Sequence, residues 1–197
     1  MKQEKQKHLI QYMKRFSIFV ATMMMASVMQ AAEKLDLKSI TSGAFSASYV
    51  TGINPIEGTD LYASISSDGK QVVSYSFKTG KQVAVLFDVE AAKAPMKSVE
   101  GYVMSPDGKK MLVFTKSKAV YRRSFKAEYF IYDIARKTIK KLSEGENQQV
   151  ATWSPDSRHI AFVKDNNIFV TDGEKEVQVT KDGKFNEVIN GIPDWVY

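Results

Sequence analysis

The sequence predicts an all-β chain, a partial β-propeller of about two and a half to three four-stranded antiparallel blades preceded by a signal peptide. Three observations carry this expectation. Residues 150–172, VATWSPDSRHIAFVKDNNIFVTD, read as strand, turn, strand, turn, strand. The turn that opens the unit, Ser154-Pro155-Asp156-Ser157, recurs as Ser105-Pro106-Asp107-Gly108-Lys109 and as Ser66-Ser67-Asp68-Gly69-Lys70, at spacings of 49 and 39 residues. Beyond residue 33 no stretch sustains the apolar period of a long helix. Repeats of that length built from short strands stack as blades, because a single repeat cannot bury its own apolar face.

Taken in order, residues 1–32 read as a secretory signal peptide. Lys14 and Arg15 supply the positive end, 16–28 the apolar run, and Ala31-Ala32 the small residues of a cleavage site. The run is too short and too weakly apolar for a transmembrane helix. Export to the periplasm or cell surface is expected, and the absence of cysteine is compatible with it. Residues 33–60 form an N-terminal arm, either a short capped helical turn or an extended segment, with Asn54-Pro55 and Glu57-Gly58 marking a turn.

Residues 61–197 are the incomplete propeller domain. Strands are expected at 61–65, 71–77 and 82–87, then at 101–104 and 111–115, at 129–134 and 138–142, and finally on either side of the turns at 154–157 and 165–167. Pro presets φ in the Ser-Pro-Asp turns, and Asp bonds the backbone two residues on. Asp165-Asn166-Asn167 suits the positive φ of a tight hairpin turn. Residues 176–180 complete the last blade. A propeller closes with about 4 to 8 blades, so further blades are expected outside this sequence.

Composition excludes several functions. With no cysteine there is no disulfide framework, thiolate metal site or cysteine nucleophile. The formal charge of +6 is concentrated at the N-terminus, where residues 1–31 hold five Lys/Arg and one acid. The remainder carries 23 basic and 21 acidic residues, interspersed, with no basic stripe for nucleic acid. His159 is the only histidine after the signal segment, and nothing marks a partner serine for it. No Gly-x-Ser-x-Gly elbow occurs. Asp68, Asp107, Asp156, Asp172 and Asp182 all fall in turns, as backbone-bonding residues rather than metal ligands. No catalytic residue, metal site or cofactor is expected.

Two segments go beyond a generic propeller: Tyr121-Arg122-Arg123-Ser124-Phe125-Lys126-Ala127-Glu128-Tyr129-Phe130-Ile131-Tyr132-Asp133, and Asn190-Gly191-Ile192-Pro193-Asp194-Trp195-Val196-Tyr197. Together they resemble the N-terminal β-propeller domain of the dipeptidyl peptidase IV family of serine peptidases, and the resemblance covers about residues 35–197. It implies an eight-bladed propeller joined to a C-terminal α/β-hydrolase domain that carries the serine, aspartate and histidine. It implies a peptide substrate with a free amino terminus, gripped by an acidic pair that comes directly after the motif ending here in Trp195-Val196-Tyr197. It also allows a homodimer. By the same resemblance Arg122 is the substrate-binding residue, reaching toward the active-site cavity to hold a substrate carbonyl or the acidic pair. A permanently charged fork of five donors suits either task. From the residues alone, Arg122 reads rather as a surface ion pair with Glu128 or an acid elsewhere. The expected function is the propeller part of an exported dipeptidyl peptidase IV-like exopeptidase. The competing reading is a non-catalytic periplasmic propeller that scaffolds protein contacts.

Overall fold

A computed structural model describes residues 36–47, 52–120, 122, 124–145 and 147–193. The signal-peptide expectation for 1–32 therefore lies outside the described residues, as does that for Trp195-Val196-Tyr197. The chain divides into two compact units, 1–49 and 50–197. Within the first, helix α1 (Leu37–Thr41) begins with a capping box: Asp36 Oδ1 accepts from Ser39 N, and Ser39 Oγ accepts from Asp36 N. The capped-turn alternative for this segment is the one adopted. No helix among the described residues is long and apolar enough to cross a membrane.

The second unit holds three four-stranded antiparallel sheets in simple up-and-down order. The first comprises β1 (Asn54–Pro55), β2 (Leu61–Ile65), β3 (Gln71–Ser76) and β4 (Gln82–Asp88). The second comprises β5 (Gly101–Met104), β6 (Lys110–Ala119), β7 (Phe125–Asp133) and β8 (Thr138–Lys141). The third comprises β9 (Gln149–Trp153), β10 (Ile160–Lys164), β11 (Asn167–Thr171) and β12 (Glu176–Gln178). One expectation is corrected: Asn54-Pro55 is not a turn but an edge strand paired with Tyr62 and Ala63. Pro is tolerated there because an edge strand does not need its N–H for a second neighbour.

The second sheet is buried on both faces, and the two-residue period of a strand explains how. Met111 and Val113 on β6, opposite Tyr132 and Phe130 on β7, face the first sheet and join Ala63, Val72 and Phe87. Leu112 and Phe114, opposite Ile131 and Tyr129, face the third sheet and join Trp153, Ile160 and Phe162. These strands therefore read as unbroken apolar runs, MLVF and YFIY, rather than alternating. Directional contacts fix the stacking. Phe87 meets Tyr132 edge-on at 4.8 Å. Trp153 Nε1 donates to the Val103 carbonyl at 3.1 Å, satisfying the one polar atom of a buried indole. Lys164 Nζ donates to Glu176 Oε1 at 2.8 Å and to Ser143 Oγ at 2.7 Å, tying β10 and β12 to the chain that leaves β8.

The repeated turns share one hydrogen-bond scheme. Ser66, Ser105 and Ser154 each donate through Oγ to the aspartate two residues on, at 2.6, 2.7 and 2.6 Å. That carboxylate accepts the backbone N–H two residues further, at 3.0 to 3.1 Å. The position between them is left-handed, with φ of 71° at Gly69, 68° at Gly108 and 60° at Ser157. Ser157 departs from glycine for a reason: its Oγ accepts from Asp107 N at 3.0 Å, joining the turns of adjacent sheets.

These hydrogen bonds, the serine hydroxyl foremost, hold Asp68 and Asp107 below their ordinary value of 3.8 and hold Asp156 at about 2. A depressed carboxylate stabilises the fold above its unfolded pKa and loses that contribution as pH falls through the folded value. Asp156→Asn is therefore expected to lower thermal stability at pH 7, by an amount that shrinks as pH falls toward 2. Melting curves across that range check this, and a deficit equal at both ends contradicts it.

Candidate functional site

β6 and β7 run well past β5 and β8, so the hairpin between them projects from one end of the second sheet. The repeated Ser-Asp turns lie at the other end, as an antiparallel order requires. The ladder pairs Thr115 with Glu128 and then skips to Lys118 with Lys126. Lys116 and Ser117 thus oppose Ala127 alone, and Lys116 takes a φ of 53°. This is a β-bulge, which bends a strand and re-aims the residues beyond it. Ala127 is released to pair with Gln148 on the way to the third sheet, at 2.9 and 3.0 Å. Beyond the bulge Ala119 pairs with Phe125, Val120 N donates to Ser124 O at 2.8 Å, and Arg122 stands in the tip.

The bulge is held from β5. Glu100 Oε1 accepts from Lys116 N at 2.8 Å, and its Oε2 accepts from Ser117 N at 2.9 Å and from Ser117 Oγ. Burial acts to raise the Glu100 pKa, but the Ser117 and Lys116 hydrogen bonds outweigh it and hold the carboxyl below the usual range. Beside it, the Phe114 ring lies over Gly101, where a Cβ would come within 2.2 Å of the ring. Phe114 in turn touches Phe125 and Tyr129, each at 5.1 Å between centroids.

The opposite wall comes from the third sheet and the chain after it. β9 also carries a bulge: Ala161 pairs with Thr152 and Val163 with Gln149, and Val150 sits at a φ of 53°. After β12 the chain folds back over the Asp165–Asn166 turn, whose φ values of 50° and 60° are those expected of it. Asn167 Oδ1 accepts from Thr180 Oγ1 at 3.1 Å and from Gly183 N at 2.9 Å, and Asn190 N donates to Asn166 O at 3.0 Å. Gly191 has a φ of 76°, and a Cβ there would lie 2.8 Å from Val163 and 2.9 Å from Ile168. Glycine is required at this point on both counts.

A cavity of about 310 Å³ opens between these walls. Ser124, Phe125 and Tyr129 line it from the hairpin, residues 149–152 from β9, and Ile192 and Pro193 from the returning segment. Described residues of the two segments singled out in the sequence, 124–129 of one and 192–193 of the other, thus meet in space. Burial pushes the Tyr129 phenol up to about 12, so it is neutral at any working pH. Ser124 Oγ is buried with no hydrogen-bond partner among the described residues. Arg122, two residues earlier, is exposed and has no ion-pair partner among the described residues. Glu128, one partner considered for an Arg122 surface pair, bonds Lys116 at 3.0 Å.

Other sequence candidates lie elsewhere. A larger depression of about 970 Å³ sits at the opposite end, with His159, Asp107, Asp156 and Asp172 on its rim. Its aspartates are already engaged with their own turns. Asp182 accepts from Asn190 Nδ2 at 3.1 Å. Among the described residues no group of three or more His, Asp and Glu could hold a metal. Sequence reasoning missed Glu100, Tyr129 and Ser124 as individual contributors, although the last two lie inside a segment it singled out.

Stacked four-stranded antiparallel sheets, with a cavity and an exposed arginine at one end, define a β-propeller segment. Residues 105–197 match the family described as the dipeptidyl peptidase IV (DPP IV) N-terminal region. The dipeptidyl peptidase 4 of Porphyromonas gingivalis has a crystal structure that superposes with a TM-score of 0.76 at 40% identity, covering 84% of this chain and 24% of that one. The prolyl endopeptidase FAP of Homo sapiens is 34% identical over 169 residues, 83% of this chain and 21% of its own length. A probable dipeptidyl-aminopeptidase B of Tuber melanosporum is 32% identical over 189 residues, 85% of this chain and 20% of its own. The chain belongs to the dipeptidyl peptidase IV family through its N-terminal propeller region. It spans about a fifth to a quarter of the length of these relatives.

Proposed function

We propose that these residues are the substrate-gripping part of an exported dipeptidyl peptidase IV-like serine exopeptidase that releases dipeptides from peptide N-termini. The single observation that supports this most is the meeting of residues 124–129 and 192–193 around one cavity. In this reading the reacting serine, histidine and aspartate belong to an α/β-hydrolase domain, and the propeller contributes orientation. Arg122 offers a carbonyl or carboxylate several donors from one rigid plane. Holding the substrate N-terminus raises kcat/KM by fixing the scissile bond relative to the nucleophile.

The test is a chimera in which residues 52–193 replace the matching segment of the P. gingivalis enzyme. It is expected to cleave a Gly-Pro chromogenic substrate and to spare the same substrate with an acetylated N-terminus. A chimera with native secondary structure and a cooperative melt but no cleavage would favour the scaffold reading instead.

A further inference from the structure

Beyond the sheet, the returning strand of the hairpin that carries Arg122 is tied by the Ala127–Gln148 bridge, and the outgoing strand by Glu100. β5 ends its pairing with β6 at Gly101 and Phe114, and β7 pairs with β8 only from Phe130 onward. Between those points and the tip lies the bulge, where the ladder is interrupted on one side. A two-stranded ribbon is marginal by itself in water, and its direction is set where it leaves the sheet. At that place an exposed carboxylate takes hydrogen bonds from two consecutive backbone amides and one hydroxyl. The neighbouring Lys116 side chain turns away to bond Glu128 instead.

We propose that Glu100 is a positioning residue: by clamping the Lys116-Ser117 bulge it sets the direction and rigidity of the hairpin that presents Arg122. It touches no substrate itself. Its second support is the ring of Phe114, seated on Gly101 next in sequence and braced against Phe125 on the returning strand. One carboxylate and one ring therefore fix the two strands of the hairpin from the same end of β5. The functional consequence rests on the proposed role of Arg122, whereas the mechanical claim does not.

The chain has no cysteine, so a single Lys118→Cys substitution, at an exposed site just past the bulge, takes one spin label cleanly. In the full chain, Glu100→Ala is expected to narrow the label's spectrum toward the mobile limit. Glu100→Gln keeps one amide oxygen as acceptor and is expected to fall between the two, nearer the wild type. A control label at Lys175, in the third sheet's turn, is expected not to respond. Unchanged spectra in Glu100→Ala, or equal loosening at both label sites, would overturn the proposal. In the chimera, Glu100→Ala is expected to raise KM about 10-fold with kcat little changed, as a misdirected binding group would. If Arg122→Ala is silent there while Glu100→Ala still frees the label, the role given to Arg122 fails and the clamp stands. If Arg122→Ala weakens binding while Glu100→Ala changes neither label nor KM, the clamp fails alone.

Discussion

Phe162→Ala is expected to destabilise the propeller segment by about 3–5 kcal/mol. Phe162 is 1% exposed and sits in the cluster shared by the second and third sheets. Its ring stacks on Phe169 with centroids 5.7 Å apart, and Lys164 Nζ lies 4.6 Å from the Phe169 ring. Truncation loses the transfer free energy of the ring and leaves a cavity that the flanking strands cannot close. A domain's whole stability is about 5–15 kcal/mol, so this one change removes a large share of it. Phe162 also lies opposite the bulge at Val150, so residues 149–152 should lose their fixed path and the cavity its wall. Denaturant melts read by tryptophan fluorescence check the magnitude, since Trp153 belongs to the same cluster. A loss below about 0.5 kcal/mol, within the range of an ordinary surface change, would mean that the two sheets are not packed through this ring.

Arg122→Ala is expected to lower kcat/KM of the chimeric peptidase by roughly 10- to 100-fold, the worth of about 1.5–3 kcal/mol for hydrogen bonds to a charged group. The loss should appear mainly in KM, because the guanidinium holds substrate and transition state alike. Arg122→Lys should recover only part, since a point charge cannot reproduce two parallel donors. Stability should be unaffected, because Arg122 is exposed. An unchanged specificity constant would remove Arg122 from the site.

Much of the fold was legible because its devices are local. The Ser-x-Asp turns announce themselves by residue type, and each closes through atoms within five residues. The apolar runs of β6 and β7 reflect burial on two faces. Asn54-Pro55 misled because Pro signals a turn unless the strand is known to be an edge. The bulges were not legible at all. Lys116 and Val150 adopt left-handed backbone without the glycine that usually reports it. Glu100 acquires its partners from amides 16 and 17 residues away, and no pattern in its own neighbourhood anticipates that. The site was legible as segments, through resemblance, but not as a cavity, since its lining comes from strands and loops that only the stacking of sheets brings together.

Burial of the second sheet on both sides has a consequence for alignment during folding. In a sheet with one wet face, sliding a strand by one residue expels its apolar set into water, and that penalty enforces the pairing. Here the slid β6 would exchange Met111 and Val113 for Leu112 and Phe114, and every one of them would still be dry. Hydrophobicity alone thus discriminates weakly against the shifted arrangement. The correct pairing must be enforced by side-chain shape and by anchors at the extremities: the Ser105–Asp107 turn at one end and the Glu100 carboxylate at the other.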